Sequence, residues 1–189
     1  PLLRWTKDLG FEPRLAESWE RVDDKTMRFK LREGVKFHSG NELTTADVKF
    51  TFERLKESQD FKAIFKPFSA INVIDDYTFE LVTSEPYPLL LNTATYIFPL
   101  DSEFYSGQTE DGKDKDAILK HGNSFASENL SGTGPYTVTE RKQGVRVEFE
   151  RFDDYWDTES PGNVGKIVLT PIKENATRVS ALLSGGVDF

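Results

Sequence analysis

The sequence predicts an α+β fold in which hairpins of antiparallel or mixed strands are flanked by helices. Strand patterns of period two stand on either side of short polar turns in residues 19–31, 70–83 and 136–151. Helical periodicity begins near residue 45 and recurs near residue 176. Both patterns alternate along the chain, so neither an all-helical nor an all-strand domain fits.

The first hairpin and the helix that follows it are the best-defined elements. In Thr26–Leu31 apolar and polar side chains alternate, as in a strand with one buried face, and Asp23-Asp24 predicts the preceding turn. Thr44 predicts a helix N-cap, and Asp47 can complete a capping box three residues later. The helix predicted over residues 45–58 has one apolar face, formed by Val48, Phe52 and Leu55.

The remaining elements are predicted from the same signals. A helical turn or loop is expected over 59–69 and a helix start between Pro86 and Pro88. The helix near residue 176 is expected to have Asn175 as its N-cap and to end at Gly185-Gly186. Extended segments are expected at 70–74, 77–83, 93–100, 136–140, 145–151 and 166–172, and a solvated surface excursion with a short helix at 101–130.

Composition excludes several classes of protein. The 189 residues suggest one domain or two small ones, and the net charge of −8 without a basic stripe argues against a nucleic-acid partner. No apolar run reaches the length of about 18 residues that a membrane span needs. With no cysteine, and with His38 and His121 not at metal-ligand spacing, we expect no metal and no cofactor.

Two blocks of the sequence carry ordered motifs that resemble the extracellular solute-binding proteins of family 5. These are the peptide-, dipeptide- and nickel-binding proteins of bacterial and archaeal ABC importers. Departures from the family pattern are small: Thr45 separates Thr44 from Ala46, and Ser39 stands where many members carry Asp. The matching segments include Leu15–Trp19 (LAESW), Leu31–His38 (LREGVKFH), Ala46–Val48 (ADV), Gly132–Tyr136 (GTGPY), Asp153–Trp156 (DDYW) and Ala176–Arg178 (ATR).

The resemblance implies a fragment of a periplasmic-binding-protein-like type II fold. Residues 1–130 would be the inserted subdomain of the first lobe, and residues 131–189 a partial main portion of that lobe. Both ends look cut, so the parent protein is expected to be longer and to be anchored to the membrane, as a lipoprotein, through a segment absent here. A sheet cut at Phe189 would expose an apolar edge, which a dimer or a swapped strand would cover.

The function that the resemblance implies is that of the substrate-binding component of an ABC importer. It would capture an extracytoplasmic solute, foremost an oligopeptide or dipeptide, in the periplasm or at the cell surface and deliver it to membrane permease subunits. One alternative is a sensor or adhesion domain on the same fold. Another is an extracellular hydrolase, but the sequence offers neither a nucleophile–base pair nor a carboxylate dyad, so we expect no enzyme.

Five residues are candidates for ligand binding. By resemblance, Tyr96 and Phe98 face the cleft from the inserted subdomain, although ordinary core packing is the alternative for both. The loop Gly132, Thr133 and Gly134 lacks the ending of a phosphate-binding loop. Its glycines would either let the backbone approach a ligand or allow an unusual backbone angle in a turn at the start of a strand. Trp19 and Trp156 are expected to be core anchors rather than ligand contacts.

Overall fold

A computed structural model describes residues 1–118 and 125–189, so His121 and part of the expected excursion at 101–130 lie outside the described residues. The described part contains nine strands and six helices. The strands are β1 (Leu3–Trp5), β2 (Phe11–Pro13), β3 (Ala16–Arg21), β4 (Thr26–Leu31), β5 (Phe68–Val73), β6 (Thr78–Thr83), β7 (Tyr136–Lys142), β8 (Arg146–Arg151) and β9 (Lys166–Leu169). The helices are α1 (Thr45–Glu57), α2 (Lys62–Phe65), α3 (Leu90–Ala94), α4 (Ser102–Tyr105), α5 (Phe125–Glu128) and α6 (Asn175–Leu183).

The core is built on a four-stranded antiparallel sheet in the order β3-β4-β6-β5. The two predicted hairpins supply its strands, and the alternation read from the sequence places Phe29 of β4 opposite Phe79 of β6. The two rings stack with centroids 5.2 Å apart, and both side chains are fully buried. Burial of large apolar side chains of this kind stabilises the fold by about 1.5–3 kcal/mol each.

Helix α1 packs on this sheet, and its start confirms the predicted capping box. The Thr44 side chain accepts from the Ala46 N–H, and the Asp47 carboxylate accepts from the Thr44 N–H at 2.8 Å. Phe52 of α1 meets Phe68 of β5 in an edge-to-face contact with ring centroids 5.9 Å apart. The helix is therefore fixed both at its first turn and along its apolar face.

The second sheet is three-stranded and antiparallel, in the order β7-β8-β9, and helix α6 follows it. The prediction that Asn175 caps α6 is wrong: Glu174 is the N-cap, its side chain makes no capping bond, and Asn175 is already the first helical residue. The predicted end is confirmed at Gly185, which adopts a φ of 72° just after the C-cap. Large apolar side chains of this region remain exposed, among them Leu183 and Phe189, and the expected dimer or strand swap stays a prediction.

Two other predictions need correction. Residues 93–94 belong to helix α3 and not to an extended stretch. The segment from residue 101 onward is not simply a solvated excursion, because Asp101 is fully buried and Tyr105 is buried in helix α4. Hydrogen bonds from Ser39 and Asn41 to Asp101 hold the start of this polar stretch in the interior. None of the helices described here combines the length and the apolar character needed to cross a membrane.

Candidate functional site

A cleft of about 400 Å³ opens between the segment around Phe98 and the loop that precedes β7. We call it the cleft. Its walls bring together residues far apart in sequence, including Arg14, Phe98, Gly132, Thr133, Gly134 and Trp156. Four of the five residues predicted to bind ligand therefore share one site.

Tyr96 and Phe98 flank a buried anchor. Ile97 between them is fully buried, and its carbonyl accepts from the Leu2 N–H at 3.0 Å. This alternation turns Tyr96 and Phe98 outward, with 48% and 57% of their surfaces exposed, so core packing is wrong for both. Phe98 lines the cleft, whereas Tyr96 lines a neighbouring depression of about 280 Å³ that also includes Phe98.

The glycine loop, Gly132–Gly134, is held against His38. The His38 N–H donates to the Gly132 carbonyl at 2.9 Å, and the ring Nε2 lies 2.9 Å from the Gly134 carbonyl oxygen. The Gly132 N–H in turn points at the ring Nδ1 at 3.4 Å. A ring with its proton on Nε2 satisfies both ring contacts, so His38 has a structural hydrogen-bonding role.

The backbone angles of the loop decide between the two readings of its glycines. Neither Gly132 nor Gly134 has a positive φ, so the prediction of a turn that needs an unusual backbone angle is wrong. A Cβ at Gly134 would meet nothing within 4 Å, and one at Gly132 would lie 3.8 Å from the His38 ring. Packing among the described residues does not require glycine at either position. The alternative that remains is that the glycines let the backbone approach a ligand, and it stays a prediction.

Behind the loop lies a buried carboxylate that sequence reasoning missed. Asp101 Oδ2 accepts from Ser39 Oγ at 2.5 Å and from Ser131 Oγ at 2.8 Å, and Oδ1 accepts from Asn41 Nδ2 and the Phe104 N–H, both at 3.0 Å. Burial alone would raise the pKa of Asp101, but the hydrogen bonds from Ser39, Asn41, Phe104 and Ser131 outweigh it and lower the pKa. Only the N-cap position before α4 could have hinted at this residue in the sequence.

The opposite wall is an arginine–tryptophan contact that sequence reasoning also missed. The Arg14 guanidinium bonds Asp157 at 3.0 Å and the Tyr155 hydroxyl at 3.1 Å, and its carbon lies 4.8 Å from the centre of the Trp156 ring. The Arg32 guanidinium lies at the same distance from that ring. Trp156 is thus partly buried against the core, as an anchor would be, and also lines the cleft.

The lining of the cleft is largely aromatic and main-chain. Its walls combine aromatic rings with main-chain groups of a glycine loop, and the charge of Arg14 is compensated by Asp157. Across residues 1–118 and 125–189 no three His, Cys, Asp or Glu side chains are grouped so as to hold a metal ion. Apolar clefts with a few fixed polar groups are typical of sites for small ligands.

Comparisons with known proteins give the class to which this fold belongs. The structure of NikZ from Campylobacter jejuni in complex with Ni(L-His) is similar with a TM-score of 0.81 at 22% identity, over 98% of this chain and 36% of that one. An ABC transporter substrate-binding protein from Sinorhizobium meliloti is similar with a TM-score of 0.77 at 29% identity, over 99% of this chain and 36% of that one. The fold is that of a solute-binding protein, and the α+β prediction is confirmed.

The family follows from the sequence matches. The family model described as bacterial extracellular solute-binding proteins, family 5 Middle, matches residues 10–189, and the chain belongs to this family. The dipeptide-binding protein of Escherichia coli (strain K12) is 30% identical over 182 residues, which are 84% of this chain and 32% of that protein. The chain spans about a third of the length of the curated relatives it matches. The predicted family resemblance is confirmed.

Proposed function

We propose that this chain is part of the solute-binding component of an ABC importer, and that the cleft is its contribution to the solute site. The observation that carries the proposal is the glycine loop. Its glycines are required neither by backbone angle nor by packing among the described residues, and they line the same cleft as the exposed ring of Phe98. A bound solute accounts for both the open loop and the outward-facing ring.

The solute class that best fits the cleft is an oligopeptide or a dipeptide. Among the described residues Thr133 makes no hydrogen bond, so its main-chain groups are available to a ligand backbone. Peptides present main-chain donors and acceptors at regular spacing and apolar side chains between them, which matches a main-chain loop facing an aromatic ring. The similarity to a protein named as dipeptide-binding supports the same class.

The rest of the proposal concerns the whole protein. Residues 1–130 form the inserted subdomain of the first lobe, and residues 131–189 form part of its main portion. The protein captures its solute outside the cytoplasm, closes on it by a hinge motion and docks on permease subunits. It catalyses no reaction, and a lipoprotein anchor holds it at the membrane.

Native mass spectrometry of the gently purified full-length protein tests the solute class. A distribution of short peptide masses that leaves on mild activation is expected. A single mass of a metal chelate or a sugar would overturn the peptide class and keep the binding function. A protein that is empty, and that stays silent in a screen of peptides, chelates and sugars, would overturn the proposed function and favour a sensor or adhesion domain.

A further inference from the structure

The glycine loop cannot hold itself in place. Two of its three residues have no side chain, and among the described residues Thr133 makes no hydrogen bond. Its position depends on neighbouring residues, namely His38, which hydrogen-bonds its main chain, and Ser131, which precedes it and bonds Asp101. A binding loop whose own side chains do not anchor it needs an external support to stay in a productive geometry.

Ser131 is in turn hydrogen-bonded to the buried carboxylate of Asp101. Ser131 is 5% exposed and Asp101 is fully buried. The Ser131 hydroxyl donates to Asp101 Oδ2, and the same hydroxyl oxygen accepts from the Ser39 N–H at 3.3 Å. Asp101 is therefore linked to the loop in two ways. It bonds Ser131 at the start of the loop, and it bonds Ser39, which directly follows the His38 whose ring contacts the Gly134 carbonyl.

We propose that Asp101 is a positioning residue of the solute site, which fixes the glycine loop at the cleft through Ser131 and Ser39. Asp101 does not line the cleft, so it acts through the loop and not by direct contact with the solute. Its carboxylate is central because both of its oxygens are used: one holds Ser131 and Ser39, and the other holds Asn41 and the first turn of α4. Charge-assisted hydrogen bonds of this kind are about twice as strong as neutral ones. The inference rests on the proposed function, since it assigns the loop to solute binding.

Asp47 provides a matched control. It is also a buried acid, 4% exposed, and it also holds the start of α4, through the Ser102 N–H at 2.8 Å and the Ser102 hydroxyl at 2.7 Å. The remaining hydrogen bonds of its carboxylate are accepted from Thr44 at the start of α1. It makes no hydrogen bond to Ser39 or Ser131 within the described residues. A change at Asp47 therefore tests the general effect of disturbing a buried acid beside α4.

The experiment compares the full-length wild type with Asp101→Asn, Ser131→Ala and Asp47→Asn. An Asn side chain at 101 keeps an oxygen for the α4 cap, but its amide nitrogen cannot accept from Ser39 or Ser131. The first readout is amide hydrogen exchange without solute at His38 and Gly132, which bond each other. The second is affinity for trialanine by calorimetry.

In Asp101→Asn and Ser131→Ala we expect faster exchange at both amides and about tenfold weaker binding. Asp47→Asn is expected to leave both readouts at the wild-type level while speeding exchange in α1. Unchanged exchange of the loop amides in Asp101→Asn would overturn the proposal. Faster exchange of these amides with unchanged affinity for trialanine would also overturn it. So would effects of Asp47→Asn on both readouts as large as those of Asp101→Asn. If the wild type binds no trialanine, affinity is measured with the solute that co-purifies with the wild type, and the proposed function fails separately only if no such solute is found and the screen stays silent. Loop exchange still decides whether Asp101 holds the loop.

Discussion

Replacing Asp47 by alanine should loosen the start of helix α1 and its junction with α4. One oxygen of the carboxylate accepts from the Thr44 N–H at 2.8 Å and the Thr44 hydroxyl at 3.3 Å. The other accepts from the N–H and the hydroxyl of Ser102. Alanine removes all four contacts and leaves no acceptor in their place.

The free energy lost in Asp47→Ala depends on which of these donors can find another hydrogen-bond acceptor. The two hydroxyls can rotate, but the Thr44 and Ser102 N–H groups are fixed by the backbone. A hydrogen bond to a charged acceptor contributes about 1.5–3 kcal/mol, so loss of the bonds from the two N–H groups would cost about 3–6 kcal/mol if the two losses added. Since the two bonds share one carboxylate, their losses need not add, and we expect the lower end of that range.

Native-state hydrogen exchange on the full-length protein is the assay, because it reports the local free energy of opening. A loss of about 3 kcal/mol should speed exchange of the α1 amides by roughly 100-fold. The control is Glu53→Ala on the same helix, where an exposed pair with Lys49 is lost and the expected change is below about 1 kcal/mol. A loss below about 1 kcal/mol for Asp47→Ala would refute the reasoning.

Three further predictions concern the cleft and its supports. Because the fold lowers the pKa of Asp101, its carboxylate stabilises the protein fully above about pH 4, and this contribution is lost as the pH falls through the folded pKa. In urea unfolding, the free energy of unfolding should therefore decrease more between pH 7 and pH 3 in the wild type than in Asp101→Asn. Phe98→Ala should weaken binding of trialanine by about tenfold at an unchanged unfolding midpoint, because the exposed ring contributes little to the core; a normal affinity would contradict its role. Arg14→Ala should lower the free energy of unfolding by about 2–4 kcal/mol in urea, because it leaves Asp157 unpaired and removes the contact with Trp156; a loss under about 1 kcal/mol would contradict the account.

The sequence was most informative where structure is local. The turn at Asp23-Asp24, the alternation in Thr26–Leu31 and the capping box of Thr44 with Asp47 depend on neighbours within a few residues, and all three are confirmed. The misplaced cap at Asn175 shows the limit of this reasoning. Position by itself cannot decide which of two adjacent residues takes the non-helical angles of an N-cap.

The hydrogen bonds and the ion pair that hold the site could not be predicted, because they join residues far apart in the sequence. Asp101 lies in a polar stretch, and only the fold brings it to Ser39, which is 62 residues away, and to Ser131, which is 30 residues away. The pairing of Arg14 with Asp157 spans 143 residues. The loop and Phe98 could be named from the family resemblance, but their convergence on one cleft without Tyr96 required the structure.

The most direct test of the central claim fills the cleft and measures solute binding. Gly134→Leu places a side chain into the cleft, and Gly165→Leu is the matched control. At both positions an added Cβ meets nothing within 4 Å and φ is not positive, but only Gly134 lines the cleft. Calorimetry on the full-length proteins, with the solute that co-purifies with the wild type, should show binding weakened by about 100-fold in Gly134→Leu and unchanged in Gly165→Leu. Equal affinity in the two variants would contradict the assignment of the cleft as part of the solute site.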